Sequence, residues 1–139
     1  PLAQKSCLKL LSALCDAGYD VCLETSGALD ISAVDPRVAR IMDLKAPGSG
    51  ECDKNLFDNI TNLRATDEIK IVIASRADFD WAQEIIAQYH LTDRCDVVLS
   101  PVAGQQNPTD LATWILAAGL PVRFQLQLHK LLWNDARGK

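Results

Sequence analysis

Apolar strand patterns alternate with amphipathic helix patterns along this chain, and this alternation restricts its possible folds more than any other feature. The clearest strand pattern is Glu-Ile-Lys-Ile-Val-Ile-Ala at 68–74, and the clearest helix pattern follows it at 77–90. Strands that are joined through helices form parallel sheets, because the right-handed crossover between two parallel strands needs a helix-sized connection. The sequence therefore predicts the α/β class with a largely parallel sheet.

Further segments extend the same alternation in both directions. The patterns predict helices over 4–17, 54–64 and 108–118, strands over 19–24, 40–44 and 96–99, and a last apolar stretch at 121–126. Asn107 is a candidate N-cap, and Gly18 and Gly119 are candidate helix stops. With 139 residues, of which 48% are hydrophobic, the chain can bury one core, so we expect a single domain over 1–139.

The charge balance narrows the possible partners. A net charge of -4 and a pI of about 5.0 argue against a nucleic-acid groove, which needs clustered Lys and Arg. Apolar runs fall short of the ~20 residues of a membrane span, and no basic-then-apolar leader opens the chain. We therefore expect a cytoplasmic protein with no membrane partner and no direct nucleic-acid partner.

The cysteines do not form a recognisable metal-binding pattern. Five are present, with no Cys-x-x-Cys pair and no nearby His partner. Cys7 and Cys15 fall in a helix pattern and Cys22 in a strand pattern, where a reduced thiol behaves as a small hydrophobic group. We expect these cysteines to be structural and no metal ligand among them.

Polar residues follow the predicted strands. They are Glu24-Thr25-Ser26, Asp43-Leu44-Lys45, Ala74-Ser75-Arg76, Ser100-Pro101 and Gln127-Leu128-His129-Lys130. In parallel α/β proteins, ligands bind just outside the carboxyl ends of the strands. We therefore expect these five segments to form one ligand-binding rim. The first of them, with Gly27, offers a carboxylate, two hydroxyls and a flexible amide to a small polar molecule.

Each of these residues also has an ordinary explanation. Lys45 is either a solvated loop lysine or a fixed positive charge beside a ligand carboxylate or ribose. Ser100-Pro101 either ends a strand or offers backbone contacts to an adenine or ribose, and Ser26-Gly27 could merely make a bend. A lone histidine such as His129 is more often an ordinary surface or core residue than a catalyst, and Arg123 is equally ambiguous.

Taken together and in order, these segments resemble the 7-carboxy-7-deazaguanine synthase family of radical S-adenosylmethionine (SAM) enzymes. The matching segments are Pro1-Leu2, Glu24-Thr25-Ser26-Gly27, Asp43 to Ser49, Ser100-Pro101 and Gln127 to Lys130, so the resemblance spans essentially the whole chain. It implies a partial (incomplete) parallel βα barrel of the radical SAM type. Pro1 resembles the last residue of the family's Gly-Gly-Glu-Pro motif. We therefore expect a C-terminal fragment that lacks the cluster-binding N-terminal part.

The resemblance also implies roles for individual residues. The implied SAM-contacting residues lie at two strand ends, with two further candidates on the same rim: Asp43, Leu44, Lys45, Ser100, Pro101, Val102, Ala103, Glu24 and Ser26. His129 is the implied substrate-binding residue, able to meet the carboxylate of a pterin. The tail from Trp133 to Lys139 is longer than in some relatives. We expect no acid–base catalyst among these residues, because the cofactors carry the chemistry.

The implied reaction rearranges 6-carboxy-5,6,7,8-tetrahydropterin to 7-carboxy-7-deazaguanine with loss of ammonia, a lyase step towards the modified tRNA nucleoside queuosine. The implied cofactors are SAM, a [4Fe-4S] cluster and magnesium, with the cluster and magnesium ligands expected in the N-terminal part. The implied partners are the pterin substrate and a second copy of the chain in a homodimer. We expect activity from the full-length enzyme and none from the fragment alone.

Two other interpretations remain open from the residues. A non-catalytic fragment could self-associate through the bare edges of its parallel strands. An unrelated α/β nucleotide-binding module is the other, although the chain has no Gly-x-Gly-x-x-Gly or Walker loop.

Overall fold

The structure is a computed structural model that describes residues 1–133. Its central feature is a five-stranded sheet in the order β1-β2-β3-β4-β5, with every neighbouring pair parallel. The strands are β1 Cys22–Thr25, β2 Ala39–Leu44, β3 Glu68–Ile73, β4 Asp96–Pro101 and β5 Arg123–Phe124. A sheet whose strand order follows the sequence order is the arrangement found in a parallel βα barrel. The predicted α/β class and partial barrel are therefore confirmed.

The helices of the described part pack beside this sheet or follow its last strand. They are α1 Cys7–Asp16, α2 Arg76–Tyr89, α3 Pro108–Ala118 and the short α4 Leu128–Trp133. At the start of α3 the Asn107 side chain accepts a hydrogen bond from the Thr109 amide at 2.8 Å, and Gly119 ends the helix with φ of 60°. The predicted cap and stop of this helix are thus confirmed. No helix in residues 1–133 is long and apolar enough to cross a membrane.

The two faces of the sheet differ in what covers them. Alternate residues of β2 and β3 are buried in the hydrophobic core, where they pack with Phe79 and Ala82 of α2: Met42, Leu44, Ile69, Ile71 and Ile73. The residues between them are half-buried and lie on the opposite side, which we call the open face. Period-two alternation therefore separates an apolar core from a second, more polar sheet surface.

The predicted helix over 54–64 is wrong. This segment forms 3₁₀ turns at Cys52–Lys54 and Phe57–Asn62. The buried Asn59 amide donates to the carbonyls of Gly27 at 3.1 Å and Leu29 at 2.8 Å, and its oxygen accepts from the Ile31 amide at 3.1 Å. Side chains that bond to distant backbone groups compete with a regular helix. The strand–helix alternation consequently holds after β3 and β4, whereas β2 is joined to β3 through 3₁₀ turns. β1 is joined to β2 without a helix.

Several element ends also differ from the prediction. β1 begins at Cys22 rather than at residue 19, because the Tyr19 amide bonds to the Leu14 carbonyl at 3.1 Å and closes α1. β4 continues to Pro101 rather than ending at Leu99, because Ser100 and Pro101 still pair with β3. β5 ends at Phe124, so the predicted strand end at 127–130 is wrong. Most of that segment belongs to α4, which begins at Leu128.

Candidate functional site

The carboxyl ends of β2, β3 and β4 meet around a cleft of about 330 Å³, which we call the rim cleft. Its walls include Asp43, Leu44, Lys45, Gly48, Val102 and Gln105. Val102 follows β4 and is fixed to β3, since its amide donates to the Ile73 carbonyl at 2.8 Å. The structure therefore brings the three predicted residues of the second strand end together with Val102 from the fourth.

Lys45 and Asp43 form the charged part of the rim cleft. Lys45 Nζ donates to Asp43 Oδ2 at 2.5 Å, and about a third of each side chain is exposed. The backbone of Lys45 is fixed on both sides by Asn55, which accepts from its amide at 2.9 Å and donates to its carbonyl at 2.9 Å. Asp43 Oδ1 is buried and has no hydrogen-bond partner within residues 1–133. The pair thus leaves both a carboxylate oxygen and ammonium hydrogens for a ligand.

Asp78 of α2 fixes two backbone segments that line the rim cleft. The sequence alone did not indicate this role. Its buried carboxylate accepts from the Gly48 amide at 2.7 Å through Oδ1 and from the Ala74 amide at 3.0 Å through Oδ2. A Cβ at Gly48 would lie 2.5 Å from Asp78 Oδ2, so any side chain there would displace the carboxylate. The local sequence Ser75-Arg-Ala-Asp78 indicates only an ordinary helix start. Its contact with the loop after β2 depends on tertiary structure.

A second cleft of about 340 Å³ lies on the open face, and we call it the face cleft. Its lining is mostly charged or polar: Glu24, Ser26, Asp43, Glu68, Lys70 and Gln125. Glu24 and Ser26 are therefore close to Asp43, as the predicted common rim requires. The turn after them depends on Gly27, which has φ of 71° and where a Cβ would lie 3.1 Å from Met42 Cγ.

A third cleft of about 200 Å³ contains the predicted substrate residue, and we call it the His129 cleft. It is lined by Lys70, Ser100, Gln125, Leu126, Gln127 and His129, among others. Ser100 is fully buried, and its Oγ has no hydrogen-bond partner in the described part of the chain. His129 is exposed at the start of α4. The structure thus places His129 near Ser100, and not beside Lys45.

The remaining predicted cofactor residues lie elsewhere. Pro101 and Ala103 line a fourth cleft of about 230 Å³, together with Gln106, Leu126 and Lys130. The four residues predicted from Ser100 to Ala103 are therefore distributed among three neighbouring clefts. Their SAM contacts stay predictions.

Arg123, whose role the sequence left open, has two acidic partners. Its Nη1 donates to Glu68 Oε2 at 3.0 Å and to Asp96 Oδ2 at 3.1 Å. These residues come from the start of β3 and β4, so the contact closes the amino-terminal end of the open face. Arg123 is consequently an ion-pair partner of the sheet and is not at the strand-end rim.

The cysteines lie on separate elements. Cys95 is buried, and burial raises the pKa of its thiol to about 11. Cys22 is exposed, so its expected role as a small buried hydrophobic group is wrong. Residues 1–133 contain no group of three His, Cys, Asp or Glu side chains that could hold a metal ion. A cluster or magnesium ion, and the chemistry it would supply, is therefore not assigned to these residues.

Sequentially ordered parallel strands with polar clefts at their carboxyl ends are the arrangement of βα-barrel proteins. The chain is 49% identical to the 7-carboxy-7-deazaguanine synthase of Chlorobaculum tepidum over an alignment of 142 positions that covers 99% of this chain and 64% of that protein. It is 34% identical to the 7-carboxy-7-deazaguanine synthase of Koribacter versatilis over 96% of this chain and 65% of that protein. The chain is therefore a homologue of the 7-carboxy-7-deazaguanine synthases, which confirms the resemblance. It spans slightly less than two thirds of the length of these curated relatives.

The fold gives an independent match. The crystal structure of QueE from Escherichia coli superimposes with a TM-score of 0.65 at 20% identity, over 86% of this chain and 49% of that one. At this identity the match shows a common fold and nothing further. No protein-family model matches the chain.

Proposed function

We propose that this chain forms the SAM-binding and substrate-binding part of a 7-carboxy-7-deazaguanine synthase. The observation that carries the proposal is the rim cleft, in which Asp43, Lys45 and Val102 come together in a chain with a 49% identical relative of that name. The proposed reaction converts 6-carboxy-5,6,7,8-tetrahydropterin to 7-carboxy-7-deazaguanine with loss of ammonia. The whole enzyme is proposed to be a homodimer in the cytoplasm that uses a [4Fe-4S] cluster and magnesium.

The rim cleft has the chemistry that SAM needs. Val72, Ala74 and Val102 offer apolar contact for an adenine, while the Lys45 ammonium can donate to a ribose or carboxylate oxygen. Asp43 Oδ1, which is buried without a partner in the described residues, can accept from a hydroxyl or ammonium group. When bound, SAM supplies the hydrogen-abstracting radical of the reaction. The residues named here bind and orient it.

The open face suits the pterin. A pterin carries several N–H donors on one edge and here a carboxylate on the other. Glu24 in the face cleft can accept from the N–H edge, and His129 lies in the adjoining cleft on the side proposed for the carboxylate. The face cleft and the rim cleft share Asp43, so a pterin and SAM bound in them would be neighbours, as hydrogen transfer between them requires.

The test uses the full-length enzyme, reconstituted with its cluster under anaerobic conditions. Incubation with SAM, a reductant and the carboxylated pterin should give 7-carboxy-7-deazaguanine, detected by chromatography and mass spectrometry. The matched control omits SAM. A reconstituted enzyme that binds SAM but leaves the pterin unchanged would rule out the proposed function and favour the non-catalytic interpretation.

A further inference from the structure

Lys70 is a cation at the centre of the open face with no partner in the described protein. It lies in the middle of β3, opposite Asp43 of β2 and Val98 of β4. Its side chain is half-buried, and it takes part in no hydrogen bond or ion pair within residues 1–133. The neighbouring cations differ, since Lys45 is paired with Asp43, and Arg123 with Glu68 and Asp96. Lys70 thus leaves a positive charge available on a polar sheet surface.

Ser100 supplies a second unused donor beside Lys70. It lies on β4 opposite Val72, two residues along β3 from Lys70, and both residues line the His129 cleft. Ser100 is fully buried, and its Oγ has no hydrogen-bond partner in the described part of the chain. A buried hydroxyl without a partner is unfavourable in the empty protein. A ligand atom in the cleft would remove that cost.

The two donors together select a small anion. A carboxylate accepts several hydrogen bonds at once and binds most strongly to charged donors. Glu24, Asp43 and Glu68 line the adjoining face cleft and would repel a more highly charged group such as a phosphate. We propose that Lys70 and Ser100 bind the carboxylate of a ligand on the open face.

This inference rests on the proposed function, which supplies two carboxylates, one on the pterin and one on SAM. It also changes the role of His129. His129 is exposed at the start of α4, whereas Lys70 is half-buried on the sheet. Lys70 would then supply the charge, and His129 would add a hydrogen bond from the solvent side of the same cleft.

The test measures four ligands by anaerobic calorimetry on full-length enzyme with Lys70→Met, which keeps the length of the side chain. The ligands are the carboxylated pterin, tetrahydropterin without the carboxylate, SAM, and methylthioadenosine, which lacks the SAM carboxylate. One carboxylated ligand should bind about 10-fold or more weakly, the scale of a lost charged hydrogen bond, while its carboxylate-free counterpart changes less than about twofold. The affected pair identifies the source of the carboxylate.

Three further variants make the result interpretable. Lys70→Arg should restore part of the affinity, and Ser100→Ala should weaken the same ligand as Lys70→Met. Lys54→Met removes a surface lysine paired with Glu51 and should change none of the four affinities. The inference is overturned if Lys70→Met leaves all four affinities unchanged, or weakens both members of a pair equally. Failure of wild-type enzyme to convert the pterin would instead overturn the proposed function, and the SAM pair would still test Lys70.

Discussion

The ion pairs at the two ends of β2 differ in how completely their polar atoms are hydrogen-bonded within the described residues. Arg40 and Asp67, at the amino-terminal end, are 4% and 0% exposed, and Arg40 donates to Asp67 through its amide, Nε and Nη2 at 2.9, 3.1 and 2.6 Å. Asp43 and Lys45, at the carboxyl end, share one hydrogen bond, and Asp43 Oδ1 has no partner in the described residues. The first pair uses its hydrogen-bonding capacity within the protein, whereas the second leaves part of it unused in the described residues.

Further bonds complete the buried pair. Arg40 Nη2 also donates to the Asn62 carbonyl at 2.6 Å, and the Arg64 amide donates to Asp67 at 2.8 Å. Burial acts to raise the pKa of Asp67, but the hydrogen bonds from Arg40 and Arg64 outweigh it and hold the pKa below its usual value. This pair therefore stabilises the connection between β2 and the start of β3.

The largest expected effect is on stability at the buried pair. Asp67→Ala should lower the free energy of unfolding by about 3 to 5 kcal/mol, because it leaves the buried Arg40 guanidinium without its carboxylate. Asp43→Ala should cost less than about 1 kcal/mol, since its partner stays partly solvated. Urea denaturation of the full-length protein measures both, and equal losses would contradict the comparison.

The pH dependence of the same pair provides a second check. Because the pKa of Asp67 is lowered by folding, the stability it contributes is complete above the unfolded carboxyl pKa and is lost as pH falls through the lower folded value. Stability of the wild type should therefore fall below about pH 4. Asp67→Asn should show a shallower fall in denaturation series taken from pH 7 downwards, and an unchanged slope would count against this role.

At the incomplete pair, the expected effect is on binding. Lys45→Ala should weaken SAM binding by about 1.5 to 3 kcal/mol, the range for a hydrogen bond to a charged group. The free energy of unfolding should change little, because Lys45 is partly exposed and its backbone stays bonded to Asn55. Calorimetry with Lys54→Ala as the control tests this. Unchanged SAM affinity would return Lys45 to the solvated-loop interpretation.

A smaller effect is expected at His129. His129→Ala should raise the apparent KM for the carboxylated pterin by roughly tenfold, the loss of about one hydrogen bond, and leave that of SAM unchanged. His90 caps the end of α2 in a left-handed conformation with φ of 50°, so His90→Asn preserves that backbone and should alter neither constant. Steady-state kinetics of the full-length enzyme compare them. If both variants have the same constants as the wild type, the C-terminal segment has a structural role and does not bind the substrate.

The smallest effect is expected at Ser100. Removing a buried hydroxyl that has no partner in the described residues should be neutral or raise the free energy of unfolding by up to about 1 kcal/mol. Ser100→Ala followed by thermal denaturation tests this. A loss of stability would show that the hydroxyl has a structural partner. Ser100 would then contribute to folding, as Arg40 and Asp67 do.

Local patterns predicted the parts of the fold that local physics decides. The alternation in β3, the stripe of α2 and the Asn107 cap depend on residues within one element, and the structure confirms them. The segment 54–64 failed because Asn59 bonds to backbone groups 28 to 32 residues away. The strand end at Asp43 and Lys45 was predicted, but Asn55 and Asp78 were not, since they reach the site only through the folded chain.

The carboxylate of Asp78 has a consequence for the motion of the rim. The Gly48 and Ala74 amides bond to its two oxygens, so neither the loop after β2 nor the start of α2 can open without breaking a bond to the same side chain. Segments tied in this way open together as one cooperative unit. The amide protons of residues 48 and 74 should therefore show similar protection factors in hydrogen exchange with solvent. A ligand bound in the rim cleft, whose walls include Gly48 and Ala74, would therefore raise the protection of both amides.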